Sequence, residues 1–121
     1  MAKILIVDDS LTQLCSLKSI VEDEGHEVIT AEDWEHCLDA AMSQQPDLIL
    51  LDIVMPGMNG FQVNRKLHNI ADTQKIPIIF VSIKNQETDI AWGLRQGAKA
   101  YITKPVNKEK LLSAIGAALT V

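Results

Sequence analysis

The chain has 121 residues, 47% hydrophobic and 22% charged, with a formal net charge of -5 and a pI near 5.0. That length allows one domain with a real core and is too short for two ordinary ones, and the acidic balance argues against a nucleic-acid surface, which needs clustered Lys and Arg. No segment reaches the roughly 18 unbroken apolar residues of a membrane helix and the start carries no signal-peptide pattern, so the expectation is a single cytoplasmic module over residues 1–121, without membrane or nucleic-acid partners.

The first apolar run, Lys3 to Val7, reads as a strand and ends at Asp8 and Asp9. Ser10 suits the cap of a first helix whose apolar stripe is Leu11, Leu14, Cys15, Ile20 and Val21, and Gly25 supplies the left-handed residue that ends it. A second strand is expected over Glu27 to Thr30 and a second helix over Ala31 to Ser43. The run LILL, Leu48 to Leu51, stops at Asp52, and the turn-prone pair Asn59-Gly60 opens a third helix carrying Phe61, Val63 and Leu67 toward His68. A fourth strand, Pro77 to Val81, stops at Ser82; the helix after it spans about Asn85 to Gln96, with Gly97 as its stop. The last strand, Ala100 to Thr103, stops at Lys104, and a final helix from Lys108 to Leu119 buries Leu111, Leu112, Ile115 and Leu119. Unbroken apolar runs alternating with helices describe strands covered on both faces, so the fold class is α/β, a three-layer sandwich around a parallel sheet.

In such sheets ligand sites form outside the carboxyl ends of the strands, which here carry Asp8, Asp9, Asp52, Ser82 and Lys104. Two carboxylates held 4 Å apart repel by about 4 kcal/mol at an effective dielectric near 20, so the acids need compensation. A hard divalent cation such as Mg²⁺ suits an all-oxygen site, Asp52 can act as a nucleophile toward phosphorus, Lys104 can neutralise the product, and the Ser82 hydroxyl can donate to a phosphoryl oxygen. Each residue alone has a plainer reading: Asp9 and Ser10 as a helix cap, Asp52 as a turn former before Pro56-Gly57, Ser82 as a loop hydroxyl, Lys104 as a solvated lysine. Their joint placement at strand ends favours the shared site.

The segments VDDS, LLDIVMPGMNG, VS and AYITKP, in this order and spacing, resemble the receiver domain of bacterial two-component response regulators, the CheY-like family, over essentially the whole chain. The resemblance implies a flavodoxin-like fold with a five-stranded parallel sheet of order 2-1-3-4-5. It implies phosphorylation of Asp52 by the phosphohistidine of a histidine kinase or phosphotransfer protein, and Mg²⁺ held by Asp9, Asp52 and the Val54 backbone carbonyl, with Asp8 acting through coordinated water. It also implies a cis bond between Lys104 and Pro105, and a switch in which the Ser82 hydroxyl moves toward the phosphoryl group while the aromatic at Tyr101 turns inward. A downstream protein would then dock on the face made by helix four, strand five and helix five. The expected function is a stand-alone signalling switch rather than an enzyme acting on other substrates, in chemotaxis, type IV pilus motility or a phosphorelay.

Two flanking positions depart from fast-cycling regulators: Val54 cannot orient an attacking water, and Lys84 could contact a phosphoryl oxygen, which predicts a hydrolysis rate unlike theirs. Val106 also stands where the family often has Phe. Met55, Met58 and Phe61 read as packing residues, and Trp92 as either packing or a surface anchor. Cys15 and Cys37 read as buried, unpaired thiols, and His26, His36 and His68, without metal-ligand spacing or an evident acid partner, as solvent-facing. The alternative enzyme reading is an Asp-nucleophile phosphatase for a small metabolite, but such enzymes usually show D-x-D on the first strand. A nucleotide or flavin binder is disfavoured because the loop after the first strand has no Gly to cradle a phosphate.

Overall fold

The structure, a computed structural model, describes residues 1–120. β1 (Lys3–Val7), β3 (Leu48–Leu51) and β4 (Ile78–Ser82) are buried at every position except Lys3, and they form the middle of a parallel sheet completed by β2 (Glu27–Ala31) and β5 (Ala100–Thr103). The order is β2-β1-β3-β4-β5, as the resemblance implies. The strands are joined by α1 (Leu11–Asp23), α2 (Trp34–Gln44), α3 (Gly60–His68) and α4 (Glu87–Arg95), and α5 (Lys108–Leu119) closes the chain of elements. No described helix is long and apolar enough to cross a membrane.

The period of two along each strand divides the core into two layers. Ile4, Ile6, Leu48 and Leu50 point to the face covered by α1 and α5 through Leu14, Leu17, Val21, Leu111 and Ile115. Leu5, Val7, Ile49 and Leu51 point to the other face, where Cys37 and Ala41 of α2 and Val63 and Leu67 of α3 cover them.

Several boundaries and exposures differ from the sequence reading. β4 begins at Ile78 because Pro77 has no N–H to offer the ladder, although its carbonyl still accepts from Ile49 N–H at 3.0 Å. β2 extends to Ala31, whose carbonyl accepts from Asp8 N–H, and α2 therefore starts only at Trp34, capped by Asp33. α4 starts at Glu87 after the N-cap Gln86. On α1 the buried stripe is Leu14, Leu17 and Val21; Leu11 is 65% exposed, and Cys15 faces outward rather than inward. Cys37 is buried as expected, and burial pushes its thiol up to about 12, which keeps it protonated and inert. His36 does have an acid partner: its Nδ1 lies 2.7 Å from Asp33 Oδ1 across the α2 cap. His26 is half-buried rather than solvent-facing, its Nδ1 accepting from Ala2 N–H at 3.1 Å. His68 is also half-buried.

Gly60 is the tightest point between helix and sheet. A Cβ there would overlap the Asp52 carbonyl oxygen and lie 2.7 Å from Ile53 Cα, both of them backbone atoms with nowhere to retreat. Gly60→Ala is therefore expected to destabilise the fold by about 2–3 kcal/mol in urea unfolding, and a loss below about 0.5 kcal/mol would mean that α3 lifts off the strand at little cost. A second expectation concerns the α2 cap. Asp33 raises the His36 pKa above 6.5, and His36 with the α2 amides lowers the Asp33 pKa below 3.8. A raised histidine contributes stability that is complete below 6.5 and lost as pH rises through its folded value, and a lowered carboxylate contributes above 3.8 and loses it as pH falls. The pair is thus fully formed between those two limits. In an NMR titration His36 should have a midpoint above 6.5 that Asp33→Asn brings back; an unshifted wild-type midpoint would dismiss the pair.

Candidate functional site

The register of the sheet assembles the site. Val7 pairs with Leu51, and Asp52 N–H donates to the Val7 carbonyl at 3.0 Å, which sets the acids that follow β1 beside the acid that follows β3. Ser82 pairs with Thr103, and Lys104 N–H donates to the Ser82 carbonyl at 2.9 Å, so the ammonium-bearing residue emerges one strand away from the hydroxyl. The Lys104–Pro105 bond is cis. Residues separated by up to 96 positions in the chain thereby share one crevice at the carboxyl end of the sheet.

Inside it, Lys104 Nζ donates to Asp8 Oδ2 at 2.7 Å and to Asp52 Oδ2 at 3.4 Å. All three groups are nine-tenths buried or more. Backbone amides hold the other oxygens: Ser10 N–H donates to Asp8 Oδ1 at 2.9 Å and Val54 N–H to Asp52 Oδ1 at 3.3 Å. Ser10 meanwhile caps α1 through Gln13 N–H, so the plainer capping role and the site role coexist, with Asp9 left exposed. Burial, reinforced by the charge of Asp8, pushes the Asp52 carboxyl above the ordinary value of 3.8, against the pull of Lys104 and the Val54 amide.

Asp8, Asp9 and Asp52 each place one carboxylate oxygen within 4.8 Å of the others. With three carboxylates against one ammonium the cluster keeps a formal excess of two negative charges. The donors are all oxygen, the set that hard divalent cations prefer, and the cluster could bind such an ion. The residues therefore fit the implied Mg²⁺.

Ser82, fully buried, accepts from Lys84 N–H at 3.2 Å through Oγ, which leaves its own proton free to donate. The Lys84 carbonyl in turn accepts from the Tyr101 hydroxyl at 2.6 Å. Burial, with the charge of Asp89, pushes the Tyr101 phenol up to about 12, so it remains a donor at neutral pH. Ser82 and Tyr101 are thus linked through one residue of the β4–α4 loop.

Every strand-end residue singled out in the sequence lies in or beside this crevice, and Trp92, on α4, is 44% exposed. Val54 is 43% exposed next to Asp52, and the Lys84 side chain is exposed. Met55, Met58 and Phe61 pack against the core, as expected of packing residues. Sequence reasoning missed the amides of Ser10, Val54 and Lys84, because backbone donors have no side-chain signature. It also missed the role of Gly60, which was legible only as a turn residue.

Residues 4–116 match the family model of the response regulator receiver domain. Protein PilH of Pseudomonas aeruginosa is 51% identical over 119 residues, covering 98% of both chains. The structure of the chemotaxis protein CheY4 of Vibrio cholerae superposes with a TM-score of 0.90 at 31% identity, over 98% of this chain and 99% of that one. The response regulator PleD of Caulobacter vibrioides is 38% identical over 114 residues, which are 94% of this chain and 25% of that protein.

A carboxyl whose pKa is raised in the folded state binds its proton there more tightly than in the unfolded chain, so stability falls as pH rises from 3.8 through the folded value. Asp52→Asn removes that cost. Without divalent cation it should be more stable than wild type at pH 7, by on the order of 1 kcal/mol in urea unfolding, with the gap closing below pH 3.8. A variant less stable at pH 7 would show that the Lys104 bond outweighs desolvation.

Proposed function

The chain belongs to the response regulator receiver domain family, and on that premise we propose that it is a stand-alone phospho-accepting switch, phosphorylated on Asp52 from a partner's phosphohistidine and signalling by binding a second protein. The observation that carries this reading is the buried Asp52 carboxylate held between the Val54 amide and the Lys104 ammonium. End-to-end similarity to PilH and CheY4 supports the single-module form. The name of the chemotaxis protein CheY4 supports a chemotaxis setting, with type IV pilus motility and a phosphorelay as the alternatives.

In the transfer, an Asp52 oxygen forms a bond to phosphorus while the P–N bond of the phosphohistidine breaks and its electron pair returns to the imidazole nitrogen. Val54 N–H orients the attacking carboxylate. Lys104, already within reach of Asp52, neutralises the phosphoryl oxygens, and the Ser82 hydroxyl donates to one of them. Asp8, Asp9, Asp52 and the Val54 carbonyl would hold Mg²⁺, which when bound supplies the remaining positive charge. The chemistry ends with the protein's own phosphorylation and dephosphorylation. As Ser82 turns to the phosphoryl group its bond from Lys84 N–H yields, and Tyr101, bonded to the same residue, responds at the α4–β5–α5 face where the target docks.

The test is intact mass after incubation with acetyl phosphate. One adduct of about 80 Da that requires both Mg²⁺ and Asp52 supports the proposal. No adduct and no steady phosphate release would reject it. Timed decay tests Val54: Val54→Asn, able to orient a water, should hasten hydrolysis several-fold, and a fast wild-type rate left unchanged by it would remove Val54 from the account.

A further inference from the structure

Gly93 is the one buried residue of α4. Glycine in a helix interior lowers helix stability relative to alanine, so its place there calls for a packing reason. The reason lies in the next layer. A Cβ built on Gly93 would stand 2.8 Å from Tyr101 Cδ2, 3.1 Å from Tyr101 Cε2 and 3.1 Å from Phe80 Cδ2. Phe80 is fully buried, paired edge-on with Phe61 at 5.3 Å between ring centroids, and has no space to retreat. Tyr101 is half-buried, with its ring 6.1 Å from Phe80, and is the neighbour able to give way.

We propose that Gly93 is the positioning residue of the Tyr101 switch: the missing Cβ is the niche that admits the ring against Phe80, and any side chain there displaces the ring from it. Displacement pulls the Tyr101 hydroxyl from the Lys84 carbonyl, 2.6 Å away, and so loosens the loop whose Lys84 amide donates to Ser82. Gly93 thereby sets whether the ring can take its inward place on the path from Ser82 to the face of α4. This inference rests on the reading of Tyr101 as the responding aromatic.

Tyr101 is the only tyrosine in the sequence, so 3-fluorotyrosine gives a single ¹⁹F probe of its ring. In Gly93→Ala, before any phosphodonor is added, the resonance should move away from its wild-type position and amide exchange at Lys84 and Asn85 should quicken. Acetyl phosphate with Mg²⁺ should still add one phosphoryl group, because Gly93 touches none of the reacting atoms. A resonance coinciding with wild type would overturn the role of Gly93. Melting temperatures give a second arm: Gly93→Ala should change the melting temperature more favourably in a Tyr101→Ala background than with Tyr101 present, whereas equal increments in the two backgrounds would also overturn the proposal. The reading beneath it is tested apart, since a wild-type resonance that stays put while the adduct forms would overturn the switch role of Tyr101 and with it the regulatory part of the inference.

Discussion

One buried ammonium, Lys104 Nζ, 2.7 Å from Asp8 and 3.4 Å from Asp52, is the contact on which the site depends. Losing the ammonium would leave two carboxylates buried without their cation, a kind of change that typically costs about 3–5 kcal/mol, whereas a well-packed apolar replacement of all partners is often neutral or stabilising. The pair is therefore a poor device for stability and a good one for chemistry. It holds two carboxylates that would otherwise repel each other, and it leaves one of them poised toward protonation. What keeps this polar cluster in place is the apolar sheet beneath it: Val7, Leu51 and Val81 are all but fully buried, and their parallel register fixes where the next residues emerge.

Much of this was legible in the sequence, for a physical reason. A strand covered on both faces must be apolar throughout, so LILL and IIFV announce both their span and the point where polarity returns. The acids, hydroxyl and lysine at those points line the crevice at the carboxyl end of the sheet. The phosphatase alternative weakens on the same geometry, because Asp8 is already committed to Lys104 and to the Ser10 amide.

Less legible was anything decided by the approach of two elements. On α1, the sets Leu11, Leu14, Cys15 and Leu14, Leu17, Val21 both fit a helical stripe, and only contact with the sheet chooses the second. Gly60 looked like a turn residue, and Gly93 drew no reading at all, until the backbone and rings facing them were in place. The Asp33–His36 pair is different: an aspartate capping a helix three residues ahead of a histidine could have been recognised from spacing alone.

The five strands are not equivalent in how firmly they are held. β1, β3 and β4 are each paired on both sides, whereas β5 is an edge strand, bonded to β4 alone and only partly buried at all its positions. Local opening free energies in proteins range from near zero at poorly anchored segments to the global value in the core. The acid pair thus follows strands held on both sides, while Tyr101 belongs to, and Lys104 follows, a strand held on one side only. The proposed acceptor is thus mounted on the firm centre of the sheet and the proposed responder on its margin, and Lys104 is the one group that ties the margin back to the centre.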